Sequence, residues 1–454
     1  MKSITIIGAG LSGTLLAVNL LRQECSEKVC IQLIDRRSKN DLGPAYSTDE
    51  DYLLNVPAEK MGAFPGDPEH FLKWAVKKKI NAGRGDYLQR KLYREYIQSV
   101  LQESLDNKRD NITFERIQGE AVDLKIYNGR AVVYLKDGSE IITDKVVLAP
   151  GNSPPSHPAV KSRSFINDKH YIQNPWDPLI FKNISPDDTV LFIGTGQTTI
   201  DLAAGLYRRK HRGELISISR RGLFPLVHKR VDPYPSFYDE LRGHSDILTI
   251  FRIIRKHLRA AEEKGLDPRA VIDSLRPDTT AIWMQLPVPE KRKFLRHVFR
   301  YWEIIRSRIP PASMETIEKM KSAGQLKVIA GRITDIIISG SKLKVIYNER
   351  GREGGKSIQA DWVINCIGPC QDYEKIEDVF MKNLLSARLI ECDPVHLGIN
   401  AMPDGSVISA DGKVSGILYT IGLPLKGILW ESLAAPEIRG QTERLAGILV
   451  NGIE

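Results

Sequence analysis

The chain has 454 residues, 42% hydrophobic and 27% charged, with a net charge of +9 and five cysteines. That length exceeds one ordinary core and implies two or three domains, in the composition range of globular proteins. No uninterrupted apolar run reaches the length of a bilayer span, and the apolar start is broken by glycines, unlike a secretory leader. An odd cysteine count without zinc-type spacing argues against a disulfide scaffold or a metal site and for a cytoplasmic protein. The cation excess suits an anionic ligand; no nucleic-acid-binding module accompanies it.

The first element is the most telling. Four β-prone residues, Ile4 to Ile7, run into Gly8-Ala9-Gly10-Leu11-Ser12-Gly13 and then into an apolar stretch at helical spacing up to Leu21. This order makes strand, tight turn and helix. Gly8 permits the turn, Gly10 leaves room for a pyrophosphate, and Gly13 lets the helix pack on the strand. Leu11 and Ser12 open the helix, whose free N–H groups favour phosphate. A second strand, Cys30 to Ile34, ends on Asp35, where an acid holds a ribose 2′-hydroxyl.

Gly- and Pro-marked loops follow at 43–48 and 53–61. Asp67-Pro68-Glu69 opens a helix through Trp74, and another runs from Leu88 to Leu101, with Tyr93 and Tyr96 expected in the core. Residues 112–148 alternate like strands around turns at Asn128-Gly129 and Asp137-Gly138, predicting a three-stranded meander. It closes on Asp144 to Gly151.

After a Pro-rich connector the pattern restarts. Thr189 to Ile193 predicts a buried strand, Gly194-Thr195-Gly196-Gln197-Thr198-Thr199 a second phosphate turn, and Thr199 takes the place of the third glycine. The next strand, Leu215 to Ile218, ends on Ser219-Arg220-Arg221 instead of an acid. A β-rich stretch then closes on Asp361 to Gly368, so both halves end in D-x-V-[VI]-x-x-x-G. The duplication predicts an α/β fold of two Rossmann-like dinucleotide-binding domains. The first comprises 1–155 plus 385–454 and binds FAD. The second comprises 186–240 plus 318–372 and binds NAD(P)H. Residues 241–317 form a basic helical insertion. The Ser-Arg-Arg end suits the 2′-phosphate of NADPH, because guanidinium binds phosphate in a fork. Hydride transfer from nicotinamide to flavin demands no side-chain acid, base or nucleophile, and no catalytic residue is assigned.

The sequence resembles the bacterial YdhS-like FAD/NAD(P)-binding proteins. The resemblance rests on the glycine turn at 8–13, G-x-A-Y-S-T at 43–48, L-L-N-V-P-A-x-x-M at 53–61 and D-P-E-x-F-x-x-W at 67–74. It continues through the turn at 194–196, S-R-R-G-L-x-P at 219–225, Trp302 to Arg308, and G-x-x-W-E-x-x-A-x-P-E-I-R-x-Q from Gly427 to Gln441. That family is similar to flavin N-hydroxylating monooxygenases, with L-aspartate N-monooxygenases among its relatives. Arg90-x-x-Tyr93-x-x-Tyr96 echoes a motif of ornithine and lysine N-hydroxylases. The resemblance implies oxidation of a small amine, an acidic amino acid such as L-aspartate, by O2 through a flavin C4a-hydroperoxide. It implies further cofactor contacts at Asn55, Met61, Arg90, Gly151, Gly422, Gly427 and Trp430, and substrate contacts at Arg306 and Arg308. The connector from Phe165 to Trp176 departs from the Baeyer–Villiger signature, with Asn167 in place of its glycine.

The rival readings are a flavoprotein reductase and a flavin-binding protein without turnover. Cys25 and Cys30 have the spacing of a flavin disulfide reductase but lie at the strand end away from a cofactor crevice. Cys366 and Cys370, on the second closing strand, are expected to serve packing. Oligomeric state is not legible in the sequence.

Overall fold

Strand-forming runs rich in Ile, Val and Leu and buried on both faces need helices above and below them, and this chain supplies two such sheets. In the computed structural model, which describes residues 2–37, 41–48 and 50–451, the first half contains β1 (Lys2–Ile7), β2 (Val29–Asp35), β3 (Ile112–Gln118), β4 (Ala121–Tyr127), β5 (Arg130–Leu135), β6 (Glu140–Thr143) and β7 (Lys145–Leu148). The second half contains β8 (Tyr171–Ile172), β9 (Val190–Ile193), β10 (Leu215–Ser219), β11 (Leu326–Ser339), β12 (Lys342–Glu349), β13 (Gly355–Ala360) and β14 (Trp362–Asn365). β15 (Ser406–Ile408) and β16 (Val414–Thr420) come last.

The first sheet has the order β15-β16-β7-β1-β2-β3, parallel from β16 to β3, and β4-β5-β6 form a separate small sheet. The second has the order β13-β12-β11-β10-β9-β14-β8. The expectation of two dinucleotide-binding α/β units therefore holds. The meander differs from expectation. β3 leaves it for the parallel sheet, where Ile31 is in register with Phe114, so the meander spans 121–143 only.

Two boundaries also move. The helix Pro311–Ser322 buries Ile317 and Met320 against Ile200 and Leu206 of the second unit, so the insertion ends near residue 310. The helix Val379–Ser386 packs Phe380 and Leu384 with Leu124 and Val133 of the meander, so the chain is back in the first unit before residue 385. The closing helix Ala435–Asn451 lies on the helix Leu11–Leu21, where Asn19 donates to Thr442 Oγ1 at 3.0 Å.

The insertion builds a core of its own around Leu275, Trp283 and Phe294, with Trp430 reaching in from the C-terminal segment. Tyr93 and Tyr96, on the helix Arg90–Asp106, are fully buried as expected. Among the described residues no helix is long and apolar enough to cross a membrane.

Candidate dinucleotide cleft

At the first turn Gly8 has φ +108°, and a Cβ there would overlap the Ala149 carbonyl oxygen. A Cβ at Gly13 would overlap the carbonyl oxygen of Gly8. Gly10 is different: its Cβ would meet nothing closer than the Leu42 oxygen at 3.7 Å. Protein packing explains Gly8 and Gly13, whereas Gly10 keeps open a space for something else. The helix starts at Leu11 with Gly10 as its N-cap and no side-chain cap, so the N–H groups of its first turn face the cleft unspent.

Asp35 ends β2 at the edge of the same cleft. Its carboxylate accepts from the Ala9 N–H at 2.6 Å and from Arg37 at 2.8 and 3.0 Å. Burial pushes the acid up, but Arg37 and the two backbone donors outweigh it and hold Asp35 below the usual carboxylate range. Arg37 escapes sequence reasoning because an Arg after a strand is an ordinary surface residue.

The second turn repeats this geometry. Gly194 has φ +128°, and its Cβ would lie 2.6 Å from the Cys366 oxygen, while Gly196 has open space and caps an unspent helix start at Gln197. Thr199, in the third-glycine position, donates to the Gly194 carbonyl at 2.9 Å. Gln197 and Thr198 line the cleft, and Gln197 Oε1 is buried without a partner among the described residues. At the end of β10, the Ser219 hydroxyl is shared with Thr195 Oγ1 at 3.0 Å and the Gly222 N–H at 3.0 Å. Arg221 stacks on Tyr301, 4.6 Å from its ring centre, and donates to its hydroxyl at 2.7 Å. Arg220 is exposed on the cleft wall. Arg300 reaches in from the insertion to Thr195 Oγ1 at 2.9 Å, a contact no local motif foretells.

Both turns open on one continuous cleft of about 2930 Å³. Asn55, Met61, Gly151 and Trp430 also line it. His228 donates from Nε2 to the Asn55 carbonyl at 2.8 Å and packs on Tyr87, tying the second half to the 53–61 loop. Burial pulls the His228 pKa down to about 4, so the ring is neutral near pH 7. Trp430 sits at φ +63° with its ring 4.5 Å from Trp283, a backbone state that a bulky residue adopts only when its surroundings enforce it.

Several sequence-derived assignments need correction. Arg90 lies outside the cleft: buried itself, it pairs with the buried Asp201 at 2.7 Å and donates to the Leu53 carbonyl at 3.1 Å. It is a tie between the two units. Gly422 and Gly427 do not line the cleft either. A Cβ at Gly422 would press on Ser12 Oγ at 2.5 Å, and one at Gly427 would overlap the Asp393 carboxylate, so both glycines serve close packing. Arg308, only 3% exposed, holds Asp273 through both nitrogens at 2.8 and 2.9 Å. Arg306 borders the cleft but is clamped by Glu431 at 2.7 and 2.9 Å and by Glu437 at 3.2 Å. Neither arginine presents a free charge to an anion. Burial raises the Glu437 carboxyl despite Arg306 beside it, and its Oε2 has no partner among the described residues.

Cys366 and Cys370 line the cleft, but burial pushes the Cys366 thiol up to about 12, far from a reactive thiolate. Cys25 and Cys30 are free thiols at the N-terminal side of β2, away from the phosphate turn.

The residues present fit two dinucleotides: open glycine cradles at Gly10 and Gly196, uncapped helix starts, and an orphaned buried acceptor at Gln197. Residues 5–153 match a protein-family model described as FAD-NAD(P)-binding, in agreement with the cofactors expected from the sequence. Comparison with curated protein sequences finds no match. Among solved structures, an ornithine hydroxylase from Pseudomonas aeruginosa aligns over 100% of both chains at 15% identity with a TM-score of 0.66. L-lysine 6-monooxygenase from Pseudomonas syringae aligns over 100% of both chains at 14% identity with a TM-score of 0.67. A bacillithiol disulfide reductase from Staphylococcus aureus also aligns over 100% of both chains, at 12% identity with a TM-score of 0.56. At these identities the likeness is one of fold, and the fold is that of the two-dinucleotide-binding-domain flavoproteins.

Proposed function

We propose that this chain is a FAD- and NADPH-dependent monooxygenase that hydroxylates the nitrogen of a small amine, with an acidic amino acid such as L-aspartate as its substrate. The observation that carries the reading is that two phosphate turns of different charge open on one cleft. The first turn, Asp35 and the Asn55–Met61 loop would hold FAD; the second turn, Ser219 and Arg220 would hold NADPH. FAD bound there would supply hydride acceptance from NADPH and O2-dependent oxidation. The protein's part is to place both dinucleotides, keep His228 neutral against the Asn55 carbonyl, and close the cleft with the segment from Leu423 to Arg439. The acidic-substrate reading rests on the sequence resemblance and on cations of the cleft wall such as Lys60 and Arg230; Arg306 and Arg308 no longer contribute to it.

The disulfide-reductase reading has structural neighbours in its favour, the bacillithiol disulfide reductases. The neutral, buried Cys366 counts against a thiol relay, because the thiolate is the reacting form.

The test is a screen of amino acids and low-molecular-weight disulfides for stimulated NADPH and O2 consumption, with product masses measured. The proposal expects L-aspartate to couple O2 use to a product with added oxygen. NADPH oxidation driven by a disulfide without O2 uptake would replace it with the reductase.

A further inference from the structure

Residues 370–376 carry the chain from the second sheet back into the first unit, along the cleft wall. Beside this crossing three side chains of different chemistry converge. Asp372 Oδ1 lies 3.2 Å from His396 Nδ1 and 3.7 Å from Cys392 Sγ, and the three atoms are all within 4.8 Å of one another.

The convergence is built by the surrounding chain. Lys375 takes the other oxygen, Asp372 Oδ2, at 2.6 Å, while Oδ1 accepts the Glu374 N–H at 3.3 Å and faces the thiol and the imidazole. The buried Asp393 carboxylate accepts from the N–H groups of Val395 at 2.9 Å and Leu397 at 2.6 Å, which folds the 393–397 loop tightly. At its tip His396 has φ +56°, a left-handed conformation that turns the ring back over Asp372.

We propose that Asp372, Cys392 and His396 form a binding site for a divalent metal ion of the zinc type. Tetrahedral zinc with bonds of about 2.0–2.1 Å to N or O and about 2.3 Å to S requires edges of roughly 3.3 Å between N and O and roughly 3.6 Å between O and S. The 3.2 Å and 3.7 Å separations match those edges. A thiol and an imidazole select zinc over magnesium or calcium, which prefer oxygen. Glu374 Oε2, 4.0 Å from His396 Nδ1, is within reach as a fourth ligand. Lys375 plays the outer-shell part, fixing the ligating carboxylate. On binding, the Cys392 S–H bond breaks, a sulfur–metal bond forms, and the proton leaves to solvent. No short spacing motif announces the set, because its members come from both ends of the Val379–Ser386 helix.

The metal would pin the crossing to the 392–398 loop, next to Gln371, which accepts from Lys426 of the cleft wall at 3.2 Å.

The test is Co2+ titration of the chelator-treated full-length protein, followed by displacement with Zn2+. We expect one Co2+ per chain, a thiolate-to-cobalt charge-transfer band, and bleaching by equimolar Zn2+. Cys392→Ala should abolish the band. His396→Gly, which suits the positive φ, should weaken Zn2+ by more than the ~10–100-fold typical of losing an outer-shell partner. Cys25→Ala should change neither reading, and circular dichroism identifies variants that have kept their fold. Absence of the band in wild type, or its survival in folded Cys392→Ala and Cys392→Ser, overturns the proposal and leaves a hydrogen-bonded cluster. Loss of the band in Cys370→Ala alone, whose thiol sits 3.4 Å from the Asp372 carbonyl oxygen, overturns it too.

Discussion

The two phosphate turns share one plan and part company in three places. At the third turn position Gly13 admits no side chain, whereas Thr199 fills the equivalent space and spends its hydroxyl on the Gly194 carbonyl. At the end of the second strand, Asp35 is neutralised by its own neighbour Arg37, while β10 ends in a hydroxyl and two guanidiniums. Beyond the third strand, the first unit breaks at Gly119, where a Cβ would crowd Leu135 at 2.9 Å, so that β3 and β4 join different sheets. The second unit runs straight on through β11, which pairs in parallel with β10 up to Ala330 and antiparallel with β12 from Gly331, with a bulge between Ile333 and Asp335. Topology thus sets the kind of ligand, and the few residues at strand ends set its charge.

The most severe way to break this comparison is to fill both cradles. Neither Gly10 nor Gly196 has a protein atom within contact of its Cβ direction closer than 3.7 Å, so valine at each should leave folding intact. Gly10→Val is expected to purify without FAD, and Gly196→Val to keep its FAD but lose reduction by NADPH. Flavin absorbance and anaerobic stopped-flow reduction read the two outcomes, and a yellow Gly10→Val protein with full FAD would end the assignment.

Next in size is the buried tie between the units. Asp201→Ala leaves the Arg90 charge unpaired and should cost about 3–5 kcal/mol in chemical denaturation. Replacing both by apolar residues of similar volume should recover most of that loss.

His228 tests the second tie through pH. Its folded pKa, near 4, lies below the ordinary value of 6.5, so between those values the unfolded chain binds more protons. Stability is therefore fully present above pH ~6.5 and falls as pH drops toward ~4, by up to roughly 3 kcal/mol from this group. Unfolding free energies of wild type and His228→Asn should converge in their pH slopes only if another group is responsible.

Smaller is the contrast at the strand ends. Arg220→Ala should weaken NADPH by roughly 10- to 100-fold, the value of one charge-assisted contact, and leave NADH unaffected. Arg221→Ala should do less, because that guanidinium is engaged with Tyr301. Equal reduction of the wild type by NADH and NADPH would remove the basis for both. The smallest expected effect is Thr199→Ala, a loss of about 1 kcal/mol from one hydrogen bond, visible as a modest drop in Tm with cofactor content unchanged.

Much of this architecture was legible because each turn writes its constraint in adjacent residues. Glycines at 8, 10 and 13 and the duplicated D-x-V motif are local signals, and the sheets assemble around them as expected. What escaped detection depends on partners far away. Arg90 sits in a motif-like setting on its helix, yet Asp201, 111 positions on, decides its role. Arg306 and Arg308 read as exposed cations of a basic helix until Glu431, Glu437 and Asp273 fold against them. Gly422 and Gly427 are glycine for steric reasons, which a sequence does not distinguish from room for a ligand.

The interleaving of the first unit has a consequence for its birth on the ribosome. β7 finds its outer neighbour β16, and Leu148 accepts from Thr420, only across 272 residues of chain. At roughly 5–20 residues per second, this edge waits about 15–55 s while the second unit and the insertion emerge and fold. The helix Leu11–Leu21 waits longer still, since its cover, Ala435–Asn451, follows β16 in the chain. The nascent chain thus carries an open sheet edge and an uncovered apolar helix through most of translation, and these are the surfaces a chaperone would engage. The cleft gains the wall from Leu423 to Arg439 only after both phosphate turns have been made.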